Sequence, residues 1–128
     1  MFELPKLHGL ILCDRAHVNR ENGEFSLVGL FQTRRFPEFP TPPVGFTVYA
    51  ALFEGAGEGT LELKVELFDT GRVIYKYQRW LVNPPRGLTM HLEIRIKRCV
   101  FPTPGLYDLI LRFDGKELGH RFLDVYQD

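Results

Sequence analysis

Few of the residues that announce a chemistry are present. The chain has two cysteines, Cys13 and Cys99, and one serine, Ser26. Two distant thiols are too few for a disulfide framework or a zinc site, which wants four ligands at short paired spacings. They are expected to be buried free thiols, with an inter-sheet disulfide as the alternative. Ser26 sits as Phe25-Ser26-Leu27 in a strand-like run, without the strained G-x-S-x-G elbow that exposes a nucleophile. The four histidines lack H-x-H or H-x₃-H spacing, so they do not point to a metal. No charge of one sign dominates: 16 basic residues face 16 acidic ones. That balance argues against a nucleic-acid partner, because phosphate binding normally leaves a strongly basic domain. No apolar run approaches the roughly 20 residues that span a bilayer as a helix. The start, Met1 to Lys6, has no basic n-region followed by an apolar core, so no secretory signal is read and a cytoplasmic location is expected. No cofactor is expected.

Alternation is what the sequence does have. Leu61, Leu63, Val65 and Leu67 alternate with Glu62, Lys64 and Glu66, and Met90, Leu92, Ile94 and Ile96 alternate with His91, Glu93, Arg95 and Lys97. A period of two puts one set on a buried sheet face and the other in water. No segment holds a 3.6-residue period over a dozen residues, so helix should be nearly absent. Turn chemistry recurs at Asn22-Gly23, Asp69-Thr70-Gly71, Pro84 to Gly87, Pro102 to Gly105 and Asp114-Gly115. Asn-Gly and Asp-Gly supply the positive φ of tight hairpins, so the flanking strands should pair antiparallel.

About eight strands are predicted, near 7–17, 24–35, 44–54, 59–69, 72–82, 88–100, 105–114 and 116–126. The whole chain, 1–128, reads as one all-β domain, an antiparallel two-sheet sandwich. The segment Pro104-Gly105-Leu106-Tyr107-Asp108-Leu109 is similar to the tyrosine corner of immunoglobulin-like sandwiches, although Leu109 stands where antibody domains carry cysteine. Gln32 to Val44 holds four of the nine prolines and is expected to be an irregular crossover between sheets rather than a strand. Gly55 to Gly59 reads as a hairpin loop, because no helix N-terminus follows to cradle a phosphate.

Leu10 to Asn19, Gly23 to Phe31, Phe36 to Pro40 and Phe101 to Tyr107, taken together, resemble a family of small uncharacterised bacterial proteins of unknown function. The resemblance covers nearly the whole chain, and the Leu-Ile-Leu-Cys-Asp-Arg-Ala-His-Val-Asn block is its most specific part. It implies a bacterial cytoplasmic protein and lends no activity, substrate or residue role.

Three groups of residues could carry function. In the first, Asp14, Arg15, His17 and Asn19 bring a carboxylate, a guanidinium, an imidazole and an amide together. On a straight strand, though, Arg15 and His17 share one face and Asp14 the other. Either they satisfy backbone and cross-strand partners, or a bulge and a second histidine (His8, His91 or His120) build a ligand or hydrolytic site. The second group is Arg34 and Arg35, with Phe36 and Phe39, on the proline-rich segment. The third is Tyr75, Tyr77, Arg79 and Trp80 on one strand. Arg, Tyr and Trp are enriched where surfaces bury partners, while Phe36, Phe39 and Trp80 could equally serve the core. A non-enzymatic binding or protein-interaction module, self-associating through an edge strand or the Tyr75 to Trp80 face, is the leading expectation. A carbohydrate or peptide platform on Trp80 and Tyr77 rests on fold analogy.

Overall fold

The computed structural model describes residues 3–85 and 87–128, which form nine strands and no helix. These are β1 (Lys6–Val18), β2 (Phe25–Leu30), β3 (Thr33–Phe36), β4 (Val44–Phe53), β5 (Glu58–Leu67), β6 (Arg72–Val82), β7 (Met90–Cys99), β8 (Gly105–Phe113) and β9 (Lys116–Gln127). Two sheets result, in the orders β2-β1-β4-β7 and β3-β9-β8-β5-β6. The alternation in β5 becomes burial: Leu61, Leu63 and Val65 are fully buried, while Glu62 and Lys64 on the opposite face are not. Leu10, Leu12, Val48, Ile94, Leu109, Leu111 and Leu123 join them in one core between the sheets.

Turns close where their chemistry requires. Asp114 and Gly115 both take positive φ, 49° and 80°, and join β8 to β9 with Phe113 opposite Lys116. At the corner before β8 the Tyr107 hydroxyl donates to the Thr103 carbonyl at 2.6 Å. Its ring, fully buried, meets Phe101 edge-on at 5.0 Å. This bond lets a phenol be buried without an orphaned O–H.

The structure corrects the predicted strands in three places. The stretch expected as one strand over 24–35 breaks at Phe31 and Gln32 into β2 and β3, which belong to different sheets, so there are nine strands rather than eight. The break follows from burial: Phe31 turns inward to meet Phe46 edge-on at 5.6 Å, and the chain crosses from one layer to the other. The proline-rich segment is not wholly irregular, since Thr33–Phe36 pairs with β9 before the prolines begin. Finally, that pair is parallel, with Thr33 opposite Asp124 and Phe36 opposite Gln127, in an otherwise antiparallel sandwich. Beyond it Pro37 to Pro43 carry the chain back to the four-stranded sheet. Buried Thr41 pins that crossing by exchanging two hydrogen bonds with Phe101, each 3.0 Å.

Strand β1 is bent. Its first half pairs with β4 from Lys6 to Cys13, its second half with β2 from Cys13 to Val18. Phe25, opposite Val18, lies 5.6 Å from the Tyr49 ring, and Tyr49 is opposite Ile11. Seven residues of straight strand would separate Ile11 from Val18 by roughly 23 Å. Only a bend after Cys13, folding the β1–β2 arm back toward the four-stranded sheet, brings those rings together.

Candidate functional site

Asp14 stands at the root of that arm, where β1 leaves β4. Its side chain leans over Gly29, where an added β-carbon would push the Asp14 carboxylate aside, and Gly29 has a φ of +72°, so the backbone itself calls for glycine. From there the Asp14 carboxylate pairs with Arg34 of β3, whose guanidinium lies 3.9 Å from the centre of the Phe31 ring. Two stretches that are separate in sequence therefore meet: β1 at Asp14, and the run from Gly29 through Phe31 to Arg34.

The other residues of the polar block do not converge with Asp14. Arg15 and His17 are exposed on the opposite face of the arm, opposite Val28 and Ser26. Asn19 serves the turn, its Oδ1 accepting the Glu21 amide at 3.0 Å. Arg35 lies over the Tyr126 ring at 5.8 Å. Phe36 and Phe39 are partly buried against the core, meeting edge-on at 6.2 Å.

Tyr75, Tyr77 and Trp80 lie on β6, an outermost strand, but strand alternation divides them. Tyr75 and Tyr77 oppose core residues Val65 and Leu63 and pack on the core, as does Ile74. Trp80 opposes Thr60 on the outer face and is 59% exposed, with Val82 at 57% and Val73 at 44% on the same strand. Tyr77 and Trp80 thus cannot form one platform.

Three further features lie where no motif marks them. One is an open groove of about 750 Å³ between β1 and β9, closed at one end by the β2–β3 link. Ile11, Leu30, Phe31, Thr33, Arg121 and Phe122 are among its lining residues. Arg121 spans it, its Nε donating to the Leu10 carbonyl at 2.7 Å. Beside it on the outer face, His120 Nδ1 is 2.8 Å from the Asp108 carboxylate, and Phe122 meets both His120 and Phe68 edge-on. The third is the cluster of Phe25, Tyr49 and His91 under the arm, where the Tyr49 hydroxyl pairs with His91 Nδ1. Burial pushes the Tyr49 phenol above its ordinary value. Asp108 and His120 are twelve residues apart, and only the register of the β8–β9 hairpin makes them neighbours. Counting back from the Asp114-Gly115 turn would place His120 opposite Leu109; the register shift between Leu111 and Arg112 moves it opposite Ile110, onto the Asp108 face, so this pairing was not legible in the sequence, and Arg121 carried no sequence signal at all.

Both cysteines are free and buried. Desolvation raises the Cys13 thiol, with the neighbouring charges of Asp14 and Glu93 adding to it, and pushes Cys99 up to about 12. Neither has the electropositive setting of a reactive thiolate. Among the described residues no group of three or more His, Cys, Asp or Glu side chains is placed to hold a metal ion. Among the same residues no helix is long and apolar enough to cross a membrane.

The nine strands run from Lys6 to Gln127, and over residues 8–126 the sequence matches the model of a family of unknown function, DUF6941. The chain belongs to that family. No curated protein matches it. The DUF6941 domain here covers both sheets almost completely, from within β1 to within β9. Its groove, its arm and its β6 edge are therefore parts of one family unit.

Proposed function

We propose that this protein is a non-enzymatic interaction module that pairs with another chain through the open edge of β6, a second copy of itself being the first partner. The observation that carries this is Trp80, 59% exposed on an outermost strand of eleven residues. An exposed tryptophan is costly to leave in water and is among the side chains that most often anchor interfaces. Val73 and Val82 extend the apolar surface along the same strand. No proline interrupts β6, so its unpaired N–H and C=O groups are available to an added strand. The scatter of Asp14, Arg15 and His17 over two faces of the arm, with Asp14 already taken up by Arg34, favours this reading over a ligand or hydrolytic site there. A bacterial cytoplasmic setting belongs to the same proposal and agrees with two buried free thiols.

Light scattering across a concentration series tests it. A dimer or larger species at micromolar concentration, converted to monomer by Trp80→Arg with the fold intact, is the expected result. A strict monomer at all concentrations overturns self-association.

A further inference from the structure

The β1–β9 groove lies on the opposite side of the five-stranded sheet from β6 and is not used by that reading. We propose that it is a second docking site, for an extended acidic peptide segment that adds as a short strand to β9 upstream of β3.

Three observations fix the occupant. The first is a vacant strand position. β3 pairs with β9 only from Asp124 onward, and among the described residues no strand pairs with that edge of β9 between Lys116 and Leu123. The Asp124 amide donates to the Gln32 carbonyl at 3.0 Å, toward the β3 side. By the alternation of a strand, the backbone groups of Phe122 and His120 point to the same side, into the position that β3 leaves unfilled. An extended chain satisfies such a row, whereas a compact ligand does not.

Secondly, the facing edge of β1 is already occupied where it matters. Leu10 offers its carbonyl on the free side of β1, and Arg121 takes it. The Leu12 carbonyl is likewise taken, by the Phe31 amide at 3.1 Å, so this β1 edge offers an added strand fewer free acceptors than the β9 edge does.

The third observation is charge. Arg121 reaches from β9 across the groove to β1, stays exposed to solvent and forms no ion pair among the described residues, its hydrogen bond there being the one to Leu10. Binding through Nε leaves both terminal nitrogens for a carboxylate. An added strand presents alternate side chains to the two faces. Those turned inward come beside Arg121 and suit glutamate or aspartate. Those turned outward come beside Phe122, 41% exposed, and suit apolar residues; Leu30, 64% exposed, forms the rim. The groove volume of about 750 Å³ accommodates such side chains.

The test uses the full chain and three synthetic eight-residue peptides: one alternating valine with glutamate, one alternating valine with lysine, and the glutamate peptide N-methylated at alternate amides. Amide shifts are followed by NMR. The glutamate peptide is expected to move the His120 and Phe122 amides most, the lysine peptide to bind about tenfold more weakly, and the N-methylated one not to bind. Leu30→Asp should abolish binding, and Arg121→Gln should remove the preference for glutamate over lysine. Trp80→Arg should leave binding unchanged, which separates this site from the β6 edge. Equal binding of all three peptides, shifts confined to β6, or no binding overturns the proposal. So does a shift of the same amides with protein concentration alone, which would make a second copy the occupant.

Discussion

Strand β8 and the β1–β2 arm obey the same alternation and have opposite fates. In β8 every residue from Tyr107 to Leu111 is buried, including Asp108 and Ile110 on the outer face. Between Asp14 and Leu30 no residue is fully buried, although Ala16, Phe25 and Leu27 give the arm an apolar side. The difference is one of neighbours. β8 has a strand on each side and a sheet across from it, whereas the arm is a hairpin with a single internal partner that rests on the outside of the sandwich. Alternation thus reports which side chains share a face, and the number of neighbouring strands decides whether that face is dry. A hairpin so weakly buried also opens more readily than the core.

The comparison can be broken or sharpened by substitution. The largest effect is expected in the core beneath the corner: Phe101→Ala, which removes a fully buried ring stacked on Phe36 and met edge-on by Tyr107, should cost about 3–5 kcal/mol. Urea denaturation with an unchanged slope would check it, and a loss below 1 kcal/mol would mean that the corner tolerates a cavity.

The next effect is a dependence on high pH. Cys99 stays protonated up to about 12 in the folded chain because burial excludes the thiolate, while the unfolded chain ionises near 9.0. The folded state holds its proton more tightly, so this contribution is complete below 9.0 and is lost as pH rises toward 12. Cys99→Val should flatten the fall in melting temperature over that window. An unaltered slope would assign alkaline unfolding to other groups, such as Tyr49.

In the arm, Gly29→Ala should cost about 1–2 kcal/mol from its left-handed backbone alone, and the clash with Asp14 should add to this. Because the arm is separable from the core, its NMR signals should broaden while those of β8 stay sharp. Broadening of both would show that arm and core form one cooperative unit.

Smallest of all is Asp14→Asn. The Asp14–Arg34 pair is largely exposed on the acid side, so its loss should cost less than about 1 kcal/mol and should disappear in high salt. A larger loss, insensitive to salt, would make this pair the latch that holds the bend.

These differences also account for what the sequence could tell. Strands β5 and β7 were legible because both the Leu61 to Leu67 run and the Met90 to Ile96 run alternate cleanly between a core and water. The Tyr107 hydrogen bond was anticipated from Pro-Gly-x-Tyr because that device is local. The division of 24–35 between two sheets was not legible. Gly29 and Phe31 look like ordinary strand residues until the layer that Phe31 enters is known. β3 was hidden for a similar reason, since its partner β9 comes from the other end of the chain and parallel pairing leaves no turn signal between them. Among the candidate residues, the separation of Asp14 from Arg15 and His17 followed from the period of two. The partnership of Asp14 with Arg34 and the reach of Arg121 to Leu10 are products of tertiary approach alone.

The late arrival of β9 has a consequence for how the chain is made. Synthesis proceeds from the N-terminus, and β1, β2, β4 and β7 are all available once Cys99 has emerged, so the four-stranded sheet can close first. The opposing sheet then has only the β5–β6 hairpin in place, because β8 and β9 follow and β3 must wait for Asp124. For that interval Leu12, Val48 and Ile94 line an apolar face with half a lid. The nascent domain is most in need of a holding chaperone from the moment its first sheet is complete, while the residues after Cys99 have still to appear.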